Sequence, residues 1–265
     1  MPAGPPEPDT MVPPAVGRLA AGRPVSVVWA NPLGGLTFRV GAGQDGWFVK
    51  WAPAASGLDL AAEADRMRWV RPFSPVPKVV DTGEDAHGSW LVTTPLQGDS
   101  AVADRWTRQP GDAVRAIGAG LRHLHDHAPV ERCPFSWSLA DRVTLALRRA
   151  REGITEPRAW HAEHRALGLA GARSILAEPP TVDRAVVCHG DACAPNTIVG
   201  GDGCWSGHVD LGTLGVADRW ADLAVATWST AWNYGPGWER ALLDAYGIDP
   251  DPPRIAYYRL LWDLT

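Results

Sequence analysis

The chain has 265 residues, of which 45% are apolar, and its formal net charge is −5. This length allows one large domain or two lobes of roughly 100–150 residues each. The mild negative charge argues against nucleic acid or an anionic membrane as the main partner. The sequence has no signal peptide, no apolar run long enough to span a membrane and no Cys-x-x-Cys pair, so we expect a cytoplasmic protein with free thiols.

The N-terminal part of the chain is predicted to form a small β-rich lobe. Residues 1–14 are rich in proline and are expected to form a disordered tail, and residues 15–97 to form the lobe. Short β-branched runs predict strands at residues 24–28, 37–40 and 46–51, and Gly34 and Gly35 lie in the turn after the first strand. Backbone N–H groups of such a turn can lie against phosphate oxygens because glycine allows close approach. A plain hairpin turn explains the two glycines about as well.

Lysine is rare in this chain, which contains only Lys50 and Lys78. Lys50 lies on the third predicted strand, and Glu63 lies on the helix predicted over residues 58–70. In kinases, a strand lysine reaches the α- and β-phosphates and a helix glutamate holds it. A glutamate on a solvated helix face is the simpler interpretation of Glu63 alone, but its position after the strand lysine favours the functional one. Further strands at residues 79–80 and 90–93 lead to Thr94 and Leu96, in a linker whose backbone would bind the adenine edge.

From residue 98 to residue 265 the pattern becomes mainly helical, and this part is predicted to be the catalytic and substrate-binding lobe. Apolar residues recur at helical spacing over residues 114–124, with further helices predicted over 139–150, 160–177, 217–232 and 253–264. Together with the preceding strands, this predicts an α+β protein with two lobes.

The stretch with the clearest chemistry begins at a buried strand predicted over residues 185–188. That strand leads into His189-Gly190-Asp191, Asn196 follows five residues after the aspartate, and Asp210 follows a hairpin predicted over residues 197–209. In kinases, an aspartate of the catalytic loop accepts the substrate hydroxyl proton, and an asparagine and a second aspartate hold Mg²⁺. Turn propensity explains the tripeptide alone. The spacing of all three residues predicts phosphoryl transfer from ATP to a hydroxyl.

On these motifs the chain resembles the aminoglycoside O-phosphotransferases of the 3′ type, from about residue 30 onward. The likeness is carried by residues 187–196 (VCHGDACAPN), 206–212 (SGHVDLG) and 215–224 (GVADRWADLA). The streptomycin 3″-type enzymes are similar too, near residues 52–54 and at the Leu-Thr end. The resemblance implies a protein-kinase-like two-lobe fold, with a small antiparallel β lobe and a larger, mainly helical lobe. It also implies that Asp191 is the catalytic base, that Asn196 and Asp210 hold Mg²⁺, and that Lys50 with Glu63 positions the phosphates of ATP.

The acceptor is expected to be an aminoglycoside, whose phosphorylation confers resistance. Members of the family bind these polycations through acidic side chains, since carboxylates pair with ammonium groups. The corresponding candidates here are Asp263, Glu163 and Thr265 with its carboxylate, and the surrounding segments are more aromatic than acidic.

Two alternatives to this acceptor and activity stay open from the sequence. A kinase of the same fold could act on another small hydroxylated molecule, such as a streptomycin-like compound, a macrolide, an amino alcohol or a sugar. A non-catalytic nucleotide-binding module is the other alternative, against which the intact catalytic set argues. Neither nucleic acid nor membrane is expected as a partner, and the oligomeric state is open.

Overall fold

The computed structural model describes residues 10–154 and 157–265. The chain forms two compact units, one up to Leu96 and one from Gln97 to Thr265. Most of the predicted disordered tail lies outside the described residues. Its last residue, Pro14, begins helix α1 (Pro14–Ala20), so the prediction is wrong at that position. Proline is favoured there because its fixed φ suits the first turn of a helix, where its missing N–H has no partner to lose.

The first unit is built on a five-stranded antiparallel sheet with the strand order β1-β2-β3-β5-β4. Its strands are β1 (Val25–Ala30), β2 (Leu36–Val40), β3 (Trp47–Pro53), β4 (Val79–Asp85) and β5 (Gly88–Thr93). Helix α2 (Leu60–Val70) is capped by Asp59, whose side chain accepts a hydrogen bond of 2.8 Å from the N–H of Ala62. One core cluster of the sheet consists of Val16, Ala20, Phe38, Val40, Val49 and Val92.

The second unit is mainly helical, as predicted. Its helices are α3 (Asp104–Thr107), α4 (Pro110–His127), α5 (Leu139–Arg151), α6 (Ala162–Arg165), α7 (Gly168–Leu176), α8 (Trp220–Tyr234), α9 (Glu239–Tyr246) and α10 (Pro252–Leu264). Short 3-10 turns cover Val130–Arg132, Pro157–Ala159 and Ala194–Asn196, and another, Gly43–Asp45, lies in the first unit. The predicted apolar stripe of α4 is buried, and α8 is buried along most of its length. Among the described residues, no helix is long and apolar enough to cross a bilayer.

Two small sheets complete the second unit. Strands β6 (Asp99–Ser100), β8 (Thr197–Val199) and β9 (Trp205–His208) form one, and β7 (Ala185–Cys188) pairs with β10 (Gly215–Asp218) in the other. The sequence predicts a helix from residue 217, and this is wrong for the first residues because Ala217 and Asp218 pair with β7. The carboxylate of Asp218 then accepts a 3.0 Å hydrogen bond from the N–H of Trp220, where α8 begins.

Candidate active site

The loop after β7 carries the predicted catalytic aspartate. Val186, Val187 and Cys188 are fully buried, and Cys188 pairs with Gly215 of β10, so the start of the loop is fixed by the core. Gly190 has a φ of +87°, and a Cβ at this position would lie 2.3 Å from the carbonyl oxygen of Thr213. Only glycine meets both demands.

The buried carboxylate of Asp222 forms hydrogen bonds with the backbone of this loop. Asp222 of α8 accepts hydrogen bonds from the N–H of His189 at 2.6 Å and from the N–H of Gly190 at 2.9 Å. The Nε2 of His125 lies 3.0 Å from the same carboxylate, and its Nδ1 lies 2.9 Å from the hydroxyl of Tyr246. Asp222 therefore holds the backbone of the loop that carries Asp191.

The ionisation state of Asp222 depends on its burial and on the groups that contact it. Burial is the strongest single influence on Asp222 and favours the neutral acid, yet the hydrogen bond and charge of His125, together with His189 and the N–H of Gly190, hold its pKa below the usual 3.8. The carboxylate is therefore ionised at neutral pH and accepts charge-assisted hydrogen bonds from the loop.

Asp191 lies at the end of the braced loop with one oxygen engaged. The side-chain amide of Asn196 donates to the backbone oxygen of Asp191 at 2.9 Å and to its Oδ2 at 3.1 Å. Oδ1 is buried and has no hydrogen-bond partner among the residues that the structure describes. Burial and then the negative charge of Asp210 raise the pKa of Asp191, and this outweighs the hydrogen bonds from the Cys193 thiol and Asn196 that lower it. The carboxyl thus combines an oxygen that has no hydrogen-bond partner among the described residues with a raised proton affinity, which suits a proton acceptor.

The hairpin of β8 and β9 brings Asn196 close to Asp210. Thr197 pairs with His208, and the N–H of Val209 donates to the carbonyl of Asn196 at 3.0 Å. Asp210 follows directly, with a φ of +64°. This left-handed conformation costs a residue other than glycine about 1–2 kcal/mol, and such strain clusters at functional sites.

The donor atoms at this end of the hairpin fit a magnesium ion. The amide nitrogen of Asn196 is used on Asp191, so its oxygen is the atom left for a metal. The Asp210 carboxylate acts on Asp191 strongly enough to raise its pKa. Amide and carboxylate oxygens are the hard ligands that Mg²⁺ prefers, and a divalent cation would offset the repulsion between the two aspartates.

Lys50 and Glu63 form the ion pair that the sequence predicts. The Nζ of Lys50 lies 2.7 Å from the Oε1 of Glu63. Strand β3 holds the lysine between Thr37 and Leu91 of the neighbouring strands, and α2 buries the glutamate. The pair lies in the first unit, whereas Asp191, Asn196 and Asp210 lie in the second.

The two predicted glycines form a tight turn between β1 and β2. The N–H of Asn31 donates to the carbonyl of Gly35 at 2.7 Å, and the N–H of Gly34 donates to the carbonyl of Asn31 at 2.9 Å. Gly34 has a φ of +87°. A Cβ on Gly35 would lie 2.7 Å from a methyl carbon of Leu58, so this backbone lies close to its neighbour.

The predicted adenine-binding linker follows β5. The N–H of Thr94 donates to the carbonyl of Lys78 at 3.0 Å, and its hydroxyl accepts from the N–H of Lys78 at 3.0 Å. Thr94 is thus tied to the start of β4. Leu96 is half-buried at the end of the first unit.

The three predicted acceptor-binding residues differ in how far they are already engaged. The Oδ2 of Asp263 accepts from the N–H of His161 at 3.0 Å and lies 2.6 Å from the Nδ1 of His164, and only 6% of the side chain is exposed. The backbone oxygen of Thr265 accepts from the Nη1 of Arg149 at 2.7 Å. Glu163 is 47% exposed and offers the most accessible carboxylate of the three.

Two supporting residues of the site, His125 and Ser229, were missed by sequence reasoning. The hydroxyl of Ser229 accepts a 2.9 Å hydrogen bond from the N–H of Ala194, in the catalytic loop, and the side chain of Asn233 donates to Ser229 in turn. The signal for Ser229 was the spacing of Asp222 and Ser229. Two polar residues seven apart lie on the same face of an otherwise apolar helix, so both can reach one loop.

Comparison with known proteins decides the family. The profile of the APH family, a phosphotransferase enzyme family, matches residues 31–258. The chain belongs to this family. It is 37% identical over 221 residues to an aminoglycoside 3′-phosphotransferase of Streptomyces fradiae, covering 79% of this chain and 81% of the relative. It is 34% identical over 256 residues to a streptomycin 3″-kinase of Streptomyces griseus, covering 90% and 91%.

Solved structures of family members agree with the fold. An aminoglycoside 3′-phosphotransferase of type VIII matches with a TM-score of 0.78 and 34% identity, covering 92% of this chain and 94% of that one. The phosphotransferase APH(3″)-Id of Streptomyces rimosus, in complex with ADP and streptomycin, matches with a TM-score of 0.72 and 30% identity, covering 87% and 90%. The predicted kinase-like α+β fold of this phosphotransferase is therefore confirmed.

Proposed function

We propose that this phosphotransferase moves the γ-phosphoryl group of ATP to a hydroxyl of an aminoglycoside antibiotic and so confers resistance. The observation that carries the proposal is the state of Asp191, which has one oxygen held by Asn196 and the other buried without a partner among the described residues. The names of the relatives, which include aminoglycoside 3′-phosphotransferases and a streptomycin 3″-kinase, support the acceptor class.

In the proposed reaction, Asp191 receives the proton of the acceptor hydroxyl at its Oδ1. The acceptor oxygen forms a bond to the γ-phosphorus, the bond from that phosphorus to the β–γ bridging oxygen breaks, and ADP leaves with the bond's electron pair. Phosphoryl transfer passes through a loose transition state, so the protein contributes mainly position and charge. The raised pKa of Asp191 favours receipt of the proton, and the brace from Asp222 keeps its position fixed.

Asn196 and Asp210 are proposed to hold Mg²⁺ through their side-chain oxygens. The ion, when bound, supplies positive charge to the phosphate oxygens. The hairpin pairing of Thr197 with His208 fixes both ligands, and the left-handed conformation of Asp210 sets the direction in which its side chain leaves the backbone.

Lys50 is proposed to bind the α- and β-phosphates of ATP. Its ammonium group is held at 2.7 Å by the buried carboxylate of Glu63, which restricts a side chain that is otherwise flexible. The turn at Gly34 and Gly35 is proposed to lie over phosphate oxygens, and the backbone of Thr94 and Leu96 to bind the adenine edge.

The proposal is tested by measuring ADP release with purified protein, ATP and Mg²⁺. The acceptors are kanamycin, streptomycin, a macrolide and an amino alcohol. We expect turnover with an aminoglycoside, and a kcat at least about 100-fold lower for Asp191→Asn, because general-base catalysis contributes about 10²–10⁴. Binding of ATP to that variant should be unchanged. The acceptor class would be refuted if ADP is released with the macrolide or the amino alcohol but with neither aminoglycoside. A near-normal kcat for Asp191→Asn would refute the role of Asp191 as the base.

A further inference from the structure

Three tryptophans of the second unit form a cluster, which we call the tryptophan platform: Trp228 and Trp232 of α8 and Trp262 of α10. Their ring centroids lie 4.9 Å (228 to 232), 6.1 Å (228 to 262) and 5.6 Å (232 to 262) apart. Trp228 is 3% exposed, whereas Trp232 is 41% exposed. The platform therefore has an inner ring packed in the protein and an outer ring in contact with solvent.

The inner ring of the platform already binds a guanidinium group. The side-chain carbon Cζ of Arg259 lies 5.6 Å from the centroid of Trp228. This guanidinium is held by Glu239 at 3.0 Å and by the carbonyl of Ala224 at 3.2 Å. Within residues 10–154 and 157–265, no cation of the protein lies over the ring of Trp232. Trp232 is 41% exposed, so part of its surface is accessible to a cation from solvent.

Ser229 connects the helix of the platform to the loop that carries Asp191. Ser229, which accepts a hydrogen bond from Ala194 of that loop, precedes Trp232 by three residues on the same helix. Side chains at this spacing have Cβ atoms about 5–6 Å apart. Trp232 therefore lies one helical turn from a side chain that contacts the loop carrying Asp191.

The charge around the platform is modest. The Oε1 of Glu163 lies 3.7 Å from the Nδ1 of His161, whose ring lies 6.4 Å from that of Trp232. Asp263 is nearby but nearly buried, and one of its oxygens is used by the His161–His164 segment. A group of ammonium ions calls for several exposed carboxylates, because each is a strongly hydrated point charge. A guanidinium is planar and weakly hydrated, so it stacks well on an indole.

We propose that Trp232, supported by Trp262, binds a guanidinium group of the acceptor and thereby selects aminoglycosides that carry guanidinium groups over those that carry only ammonium groups. Glu163 supplies the exposed negative charge beside the stacked group. This specificity role rests on the proposed function, because the acceptor is placed by its reaction at Asp191.

The test compares streptomycin, which carries guanidinium groups, with kanamycin, which carries only amino groups. Binding of each drug is measured by calorimetry and turnover by ADP release, for the wild type and for Trp232→Ala and Trp232→Phe. Trp90→Ala is the matched control, because it removes an indole of the first unit whose N–H bonds Asp81 at 3.1 Å. Thermal melts check that each variant is folded.

The wild type should bind streptomycin more tightly than kanamycin. Trp232→Ala should raise the Kd and KM of streptomycin about 5- to 30-fold and those of kanamycin less than about twofold, as loss of a cation–π contact implies. Trp232→Phe should keep most of the affinity for streptomycin, and Trp90→Ala should leave the affinity for both drugs unchanged. The KM for ATP should be the same in all variants, which a general loss of structure would not produce.

Other outcomes separate this inference from the proposed function. If kanamycin is phosphorylated and Trp232→Ala weakens both drugs equally or neither, the specificity role is wrong while the function stands. If the wild type binds streptomycin in a manner dependent on Trp232 but phosphorylates neither drug, the proposed function is wrong, whereas binding of the guanidinium group at Trp232 is supported. A wild type that binds kanamycin as tightly as streptomycin, or binds neither, overturns the platform.

Discussion

Replacing Asp222 by asparagine tests whether its hydrogen bonds to the loop position Asp191. The carboxylate accepts from two backbone N–H groups of the loop and is bonded to the ring of His125, all within 3.0 Å. Asparagine keeps the shape of the side chain but has only one acceptor oxygen, and its NH₂ group must then face N–H donors. A fully buried site offers no solvent to relieve that conflict.

The expected loss of stability follows from these contacts. If the asparagine oxygen keeps the bond from Gly190, the bonds from His189 and His125 are lost, and each hydrogen bond to a charged group contributes about 1.5–3 kcal/mol. We therefore expect the free energy of unfolding to fall by about 3–5 kcal/mol, which lowers Tm by roughly 6–20 °C for a protein of this size.

The assay combines thermal melting with ADP release at a temperature where the variant is folded. The kcat should fall as well, because Asp191 follows the two braced residues directly. Asp244→Asn is the control, since it makes the same chemical change in an exposed ion pair with Arg240, and such a pair contributes at most about 1 kcal/mol. If Asp222→Asn melts within about 2 °C of the wild type and keeps its kcat, the brace is not what positions the loop.

Three further outcomes can be measured on the same protein. Lys50→Met should lower kcat/KM for ATP at least about 100-fold in steady-state kinetics, because it removes a preorganised charge at the phosphates. An unchanged kcat/KM would exclude Lys50 from the phosphate site. Asp210→Asn should keep the fold, because asparagine also tolerates the left-handed conformation, and should need at least about tenfold more Mg²⁺ for half-maximal rate; an identical Mg²⁺ titration would argue against a metal ligand. Because the pKa of Asp222 is lowered on folding, its stabilisation is present above its unfolded pKa of 3.8 and is lost as the pH falls through the lower folded pKa. Urea titrations below about pH 4 should therefore show a steeper loss of stability with falling pH in the wild type than in Asp222→Asn, and parallel losses would contradict this linkage.

Local patterns in the sequence were sufficient for much of the fold and for the central residues of the site. Short β-branched runs predicted β2 and β3, and the apolar stripe on α4 predicted a buried helix, because helical periodicity follows from backbone geometry. The pairing of Lys50 with Glu63 was predicted because a strand and the next helix are close along the chain. The spacing of Asp191 and Asn196 is likewise local.

Sequence patterns were insufficient where pairing with a distant segment overrides the local preference of the chain. Residues 217–218 have the composition of the helix that follows, but pairing with the buried strand β7 makes them part of β10. A strand of four residues is stabilised by its neighbour and not by its own propensity. Helix α9 was not predicted either, although its apolar face packs on the core through Leu242, Leu243 and Tyr246.

By itself, the sequence determined the kinase-like order of elements and the residues available for phosphoryl transfer, because those depend on short-range spacing. The tertiary structure alone decided how these residues are held and which side chains lie around them. His125 and Asp222 are 97 positions apart, and His164 and Asp263 are 99 apart. Contacts between such distant residues depend on how helices pack, so the brace beneath Asp191, the engagement of Asp263 and the platform at Trp232 could be seen only in the folded chain.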